Sequence, residues 1–490
     1  MADHIREIVL DTLMSLEKSG DYSNRLIRGV LDKYDYLDGR DKSFIKRVTE
    51  GVIERRPELD YYLDHVSSLP VRKMKPLIRS LLRMGAYQIL YMDAVPDRAV
   101  CNEAVNLAGK RGFGSLKGFV NGVLRALSKG KGNLPLPDGE KEPVRFLSVK
   151  YSMPDWIVEL WLAGYGREAA ERILAGLMRI HPVSLRFSSV LPGEEREGWV
   201  KRLREAGVGI QENPYLPYVF FAERTDNIGM LPGYGEGAFM VQDASSALAV
   251  EAARIKDTDF VMDICAAPGG KSILAAEKAS GVLSRDISPA KTDVLEENIR
   301  RMKASNIQVQ VYDATSFDGE YEEKADVVFM DVPCSGLGVI GKKRDIKYRV
   351  TRQETEELAA LQRRIVDNSW RYVKPGGILL YSTCTIHTGE NEAMVKYISE
   401  NLPFEPVSLE GTLPTALWEQ KKRLEEELRQ AGAWGDKSHQ PQVPLQLTEA
   451  QQASCIQLLP GYMECDGFFF AKFRRREDSC PFPGRICGNR

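Results

Sequence analysis

Two cysteines carry the strongest chemical signal in this 490-residue chain. Cys334 lies in Asp331-Val332-Pro333-Cys334-Ser335-Gly336, and Cys384 in Tyr381-Ser382-Thr383-Cys384-Thr385. Each motif ends a short β-rich run, residues 327–331 and 377–382. A lone cysteine is usually a buried hydrophobe. Two at equivalent points past strand ends, flanked by Asp, Pro, Ser and Thr, are not in apolar company. Such a set has the parts to work on cytosine carbon 5, which is too weak a nucleophile to take a methyl group unaided. Addition of a thiolate to carbon 6 makes carbon 5 an enamine-type nucleophile. An acid or hydrogen-bond donor at ring nitrogen 3 stabilises the developing charge. A base must then remove the carbon 5 proton so that the sulfur can leave. Cys384, Cys334 and Asp331 are residues of the required types. Transfer to an exocyclic amine or a protein side chain would need no thiolate, and the residue types leave that reading open.

A second motif, Cys265-Ala266-Ala267-Pro268-Gly269-Gly270-Lys271, follows an earlier β-rich run. Its small residues and two glycines let the backbone approach a ligand closely. The helix predicted after it offers unpaired N–H groups and a positive dipole end to an anion. The spacing is neither the G-x-G-x-x-G of a dinucleotide site nor the G-x-x-x-x-G-K-[ST] of a phosphate loop. The carboxylate of a methionine moiety suits it better than a pyrophosphate. Acids end the next three strands: Asp286, suited to ribose hydroxyls, Asp313, suited to an adenine edge, and Asp331. One such acid ordinarily caps the following helix. Three in phase with a glycine-rich first loop read as a cofactor site.

These residues need a rigid frame, and the chain's rhythm predicts one. Residues 260–265, 282–286, 307–313, 327–331 and 377–382 are β-rich, and helical stretches 272–280, 291–304 and 353–373 separate most of them. That alternation predicts an α/β, Rossmann-like domain over 239–476, with ligands beyond the C-terminal strand ends. Runs 456–459 and 467–473 are spaced as an antiparallel hairpin on the sheet edge. A surface insertion is expected at about 411–450, with a charged helix over 417–430, and residues 477–490 read as a mobile tail. Residues 1–132 show apolar spacing of three and four and predict an all-α domain. A Gly/Pro linker follows, and 143–238 mix helices (154–164, 167–178) with strand-like runs (183–187, 218–221), a small α+β module. The whole is thus multidomain.

Composition sets outer limits. Net charge is −2, so any polyanion surface must be local. Two stretches of the front domain are basic and free of acids: residues 71–85, with Arg72, Lys73, Lys75, Arg79 and Arg83, and residues 109–131, with Lys110, Arg111, Lys117, Arg125, Lys129 and Lys131. Each is either a solvated helix face or a phosphate-contacting surface. Eight cysteines form no C-x-x-C pair and only five histidines are available, so no metal site is expected. No apolar run is long enough to span a bilayer and no signal-peptide core opens the chain, so no membrane partner and a cytoplasmic location are expected. A monomer is expected.

The three motifs resemble the signatures of the Nop/Sun RNA cytosine-C5 methyltransferases. Glu390-Asn391-Glu392 and Asp466-Gly467-Phe468-Phe469 match the same pattern, and the helical front resembles the NusB antitermination fold. The combination is similar to the bacterial Sun-type enzymes that act on small-subunit (16S) ribosomal RNA, over nearly the whole chain. The resemblance implies that Cys265, Ala266, Ala267, Pro268, Gly269, Gly270, Lys271, Asp286, Asp313 and Asp331 line the S-adenosylmethionine site. It implies that Cys384 is the attacking thiolate and that Cys334 assists product release, with Asp331 also serving the ring nitrogen. RNA is the implied partner, 16S rRNA first and tRNA as the alternative; a non-enzymatic RNA-binding factor would not need the cofactor loop. The family pattern demands no histidine at His387, three residues past Cys384. Lys291 reads as a supporting group. Phe468, Phe469 and Phe470 read as strand residues rather than base-stacking rings, and Gln242-Asp243 with Ser245-Ser246 as a helix cap.

Overall fold

A computed structural model describes residues 2–19, 22–179, 182–225, 227–430 and 447–477. The chain forms two compact units: Met1–Trp161 with Lys342–Arg349, and Leu162–Gly341 with Val350–Arg490. The first is all-helical, with Ala2–Ser19, Ser23–Lys33, Gly39–Glu54, Arg56–Val66, Pro76–Tyr91, Asp97–Lys110 and Lys117–Gly130 as its leading helices. Pro76–Tyr91 is the central one. It begins at a proline, whose missing N–H costs nothing at a helix start, and is buried nearly all round through Ile78, Leu81, Leu82, Ala86 and Ile89. Ile8, Val48, Leu59 and Leu124 close the core around it. Gly85 lets Leu124 approach, since a Cβ there would lie 2.8 Å from that side chain.

An octapeptide from far along the sequence completes this unit. Within Lys342–Arg349, Lys347 is 1% exposed and donates from Nζ to the carbonyls of Glu54 and Ser152, both at 2.7 Å. Tyr348 donates to the Ile53 carbonyl at 2.7 Å, and Asp345 accepts from the Ser23 N–H and hydroxyl at 2.9 and 2.7 Å. Burial pulls the Lys347 pKa down to about 7.

The second unit holds two sheets. The smaller contains β1 (Val183–Phe187), β2 (Gly209–Glu212), β3 (Val219–Glu223) and β4 (Phe239–Val241), antiparallel in the order β2-β3-β1-β4. Helix Gly193–Glu205 covers it with Val200 and Leu203 against Leu185, Phe187 and Phe239. The break expected between residues 164 and 167 is present: within Asp155–Leu177, Gly166 takes φ 74°.

The larger sheet contains β5 (Phe260–Asp263), β6 (Gly281–Asp286), β7 (Ile307–Val311), β8 (Ala325–Asp331), β9 (Val373–Thr383), β10 (Phe404–Pro406), β11 (Cys455–Leu458) and β12 (Phe468–Arg475). Strands β7-β6-β5-β8-β9 run parallel in that order. Met262, Val328, Phe329, Leu379, Leu380 and Tyr381 are fully buried, as strands covered on both faces require. Strand order reverses at β5, so the loops after β5, β6 and β8 meet above the sheet. The final antiparallel pair forms, with one correction to the expected edge hairpin: β12 lies inside the sheet. β9 flanks it on one side, while β10 and β11 share the other. Helix Thr415–Gln430 is charged yet buries Leu417, Leu424 and Leu428 along one face, so it packs down rather than standing free. A loop expected from the sequence over 431–444, and the tail from 478, lie outside the described residues.

Candidate active site

Parallel β8 and β9 are hydrogen-bonded neighbours with Asp331 opposite Ser382. The register therefore carries Cys334 and Cys384 past the same end of the sheet. Their sulfurs lie 3.2 Å apart, and the Cys384 N–H points at Cys334 Sγ over 3.3 Å. Both side chains are half-buried. The neighbouring thiol, then burial, pushes the Cys334 pKa well above the usual thiol range. Cys265 and Cys455 are raised by burial first. Asp331 accepts from Lys271 Nζ at 2.6 Å and from the Ser382 hydroxyl at 2.8 Å. Lys271, 7% exposed, also stands over the Phe468 ring at 5.0 Å. Lys271, from the loop after β5, and Asp331, three residues before Cys334, thus form one ion pair.

Behind the sulfurs lies a dense polar layer. Glu390 accepts from the Ser335 N–H at 2.9 Å and the Ser335 hydroxyl at 2.5 Å, and from Gln362 at 2.8 Å. Asn391 accepts from the Thr383 hydroxyl at 2.6 Å and donates to the Thr385 carbonyl at 3.1 Å. Burial raises the Glu390 pKa above the usual carboxylate range. His387 Nδ1 lies 3.6 Å from Glu390 and has no hydrogen-bond partner among the described residues, and burial takes its pKa down to about 4. The loop below is pinned by backbone alone: Gly338 N–H donates to the Cys384 carbonyl at 3.1 Å, and Gly467 N–H to the Gly338 carbonyl at 2.9 Å. A Cβ on Gly338 would lie 1.9 Å from the Gly467 oxygen. A Cβ on Gly467 would in turn lie 2.6 Å from the Gly338 Cα, which accounts for the glycine of Asp466-Gly467-Phe468-Phe469.

The loop after β5 turns at Gly269, φ 104°, a conformation that favours glycine, into the short helix Gly270–Ala276. Asp286 reaches back to it, accepting from the Ala267 N–H at 3.1 Å, and pairs with Lys291 at 3.0 Å. Lys291 is thus a supporting group. Asp313 is exposed and caps its own turn, accepting from Thr315 N–H and hydroxyl at 2.9 and 2.7 Å. Those bonds lower its pKa. Asp243 caps helix Ala244–Ala253 as expected. Phe468, Phe469 and Phe470 are buried in β12.

Asp263 escapes a reading by sequence: it ends β5 fully buried, accepts from Ser272 at 2.7 Å on one oxygen, and leaves the other without a partner among the described residues. Its signal is an acid closing the apolar run Phe260-Val261-Met262. Glu390 and Asn391 are visible only as part of a motif. An orphaned carboxylate oxygen at the end of β5 suits a ligand that brings N–H or O–H donors, as the ammonium and ribose of S-adenosylmethionine do.

The structure also separates the basic residues of the helical unit. Arg83 is bound by Asp60 at 2.6 Å and Glu17 at 2.8 Å, and Arg79 by Glu17 at 2.8 Å. Lys110 pairs with Glu7 at 2.5 Å and Arg111 with Asp11 at 2.6 Å. Lys117 and Arg125 make no salt bridge among the described residues. They line a cleft of about 480 Å³ with Asn102, Asn106, Gly118 and Asn121. Among the described residues no helix is long and apolar enough to cross a membrane, and no cluster of three metal-ligating side chains occurs.

Residues 250–474 match the family model described as "16S rRNA methyltransferase RsmB/F", and residues 3–129 match the NusB family. The chain is 32% identical to "Probable ribosomal RNA small subunit methyltransferase B" of Bacillus subtilis (strain 168), covering 96% of this chain and 99% of that protein. It is 30% identical to "Ribosomal RNA small subunit methyltransferase B" of Salmonella arizonae, over 89% of this chain and 91% of the relative. The crystal structure of PH0851 superposes with a TM-score of 0.74 at 23% identity, covering 97% of this chain and 99% of that one, a likeness of fold.

Proposed function

The chain belongs to the RsmB/F family of 16S rRNA methyltransferases, and on that premise we propose that it moves a methyl group from S-adenosylmethionine to carbon 5 of a cytosine in small-subunit ribosomal RNA. The observation that carries the chemistry is the sulfur pair: Cys334 and Cys384 lie 3.2 Å apart beside the Lys271–Asp331 ion pair. A transfer to an exocyclic amine has no use for two adjacent thiols.

Cys384 is the nucleophile in this reading. Its thiolate adds to carbon 6, and the charge that gathers on the ring is met at nitrogen 3 by the Asp331–Lys271 pair. The bound cofactor supplies a methyl group on a positively charged sulfur. Asp263, Asp286 and the residues from Cys265 to Lys271 would hold it, with Asp313 toward its base. Once carbon 5 is methylated, its proton leaves to a base and the carbon–sulfur bond to Cys384 breaks. Cys334 serves this release. His387, kept neutral by burial at neutral pH, is not required for any of these steps.

RNA whose cytosines carry tritium at carbon 5 tests the scheme. The parent protein is expected to release tritium to water. Cys384→Ala is expected to release none, and Cys334→Ala to accumulate a covalent RNA–protein adduct visible on a denaturing gel. Full turnover by Cys384→Ala would overturn the thiolate route.

A further inference from the structure

Glu390 and Asn391 take no part in the steps proposed for the reaction. Both side chains are nonetheless fully buried and committed to the two cysteine segments. We propose that these adjacent residues are positioning residues that hold the two sulfurs in register, an inference that rests on the methyltransferase reading.

The geometry is that of a two-jawed clamp. Asn391 grips Cys384 from both sides, accepting from the Thr383 hydroxyl at 2.6 Å and donating to the Thr385 carbonyl at 3.1 Å. The amide also donates to Gln457 at 2.7 Å, so it cannot swing away cheaply. Glu390 grips the Cys334 segment in the same manner. It holds Ser335 through N–H and hydroxyl, at 2.9 and 2.5 Å. It also orients Gln362, whose amide donates to Glu390 at 2.8 Å and to the Pro333 carbonyl at 2.9 Å. Both neighbours of each cysteine are thereby fixed. The jaws then meet, since the Ser335 and Thr385 hydroxyls lie 2.6 Å apart.

Because residues 390 and 391 are consecutive, the separation of the sulfurs is set by one stretch of backbone. That stretch is itself held. Glu390 N–H and Asn391 N–H both donate to the His387 carbonyl, at 3.0 and 3.1 Å, and the Tyr381 hydroxyl donates to the Glu390 carbonyl at 2.6 Å. A two-thiol reaction needs such control, because a displacement of about 1 Å in a reacting group can cost a hundredfold in rate. Removing one clamp partner leaves buried donors or acceptors unmet, which favours a shift of the cysteine segments.

The test uses the full chain, as the parent and as Asn391→Ala, Ser335→Ala and Ser335→Thr. Phenylarsine oxide bridges neighbouring thiols: two S–H bonds break, two As–S bonds form, and the arsenic oxygen leaves as water. Mass spectrometry of peptides locates the bridge. The parent is expected to bridge Cys334 to Cys384. Asn391→Ala and Ser335→Ala are expected to bridge more slowly and to lose about ten- to a hundredfold in kcat, with S-adenosylmethionine affinity and the KM for RNA within about twofold of the parent. Ser335→Thr, which keeps the hydroxyl, is expected to restore both rates. The clamp is overturned if the two alanine variants bridge and turn over at parental rates. It is overturned equally if kcat falls only in step with cofactor affinity, the mark of general loosening. A parent that bridges its thiols but releases no tritium defeats the methyltransferase reading, while the bridging rates still decide the clamp.

Discussion

Asp263 ends a strand otherwise made of Phe260, Val261 and Met262, and burial moves its pKa from 3.8 up to about 7. The folded chain therefore holds a proton there that the unfolded chain has released. Across that interval the unfolded state binds fewer protons, so this group makes stability fall as pH rises from about 4 to about 7. Asp263→Asn is expected to flatten that part of the decline, giving a smaller drop in thermal midpoint between about pH 5 and about pH 7 than the parent shows. Calorimetric scans at both pH values check it, and parallel drops would refute the assignment. The same residue marks a limit of reading by sequence. Cys334, Cys384 and the loop from Cys265 to Lys271 announce themselves by residue types that core packing does not favour. Glu390 and Asn391 do not, because their work lies in hydrogen bonds to residues far away in sequence. Only the fold shows which hydroxyl or carbonyl each one meets. Asp313 illustrates the opposite case, since its visible partner is its own turn.

The five parallel strands were legible because each is a compact apolar run bounded by turns and acids, as a sheet covered on both faces demands. β2 and β4 were not, being only four and three residues long with little alternation. The position of β12 was also hidden, because hydrogen-bonding partners depend on chain return rather than local pattern. Its insertion beside β9 has a consequence for the site. Phe469 pairs with Thr383, which carries Gly467 under the loop that holds Gly338. Gly338→Ala would force a Cβ to 1.9 Å from the Gly467 oxygen and 2.9 Å from the Cys384 oxygen. The backbone must move, at a cost of about 1–3 kcal/mol. A lower thermal midpoint together with a fall in kcat larger than that of Gly198→Ala, where a Cβ meets open space on the exposed side of helix Gly193–Glu205, is the expected result. Equal behaviour of the two variants would mean that the loop does not support the site.

For the molecule as a whole, a net charge of −2 conceals how unevenly charge is used. Most arginines in the basic stretches of the helical unit are spent on Glu7, Asp11, Glu17 and Asp60. Lys117 and Arg125 are not, and they share a cleft with three asparagines. Changing both to glutamate is expected to weaken RNA binding and to lower the slope of log affinity against log salt by about 1.4, near 0.7 for each phosphate no longer neutralised on a single strand. S-adenosylmethionine affinity should stay unchanged. Filter binding over a salt series checks the slope, and an unaltered slope would move the RNA-binding surface elsewhere.

The octapeptide Lys342–Arg349 has a further meaning for how such a chain could be taken apart. The helical unit is unfinished at residue 161: a lysine, a tyrosine and an aspartate supplied much later by translation complete its interior. While the ribosome is still adding the strands of the larger sheet, the front of the protein waits with bare carbonyls at Glu54, Ser152 and Ile53. Cutting the chain between the two units would thus deprive the helical one of part of its own core.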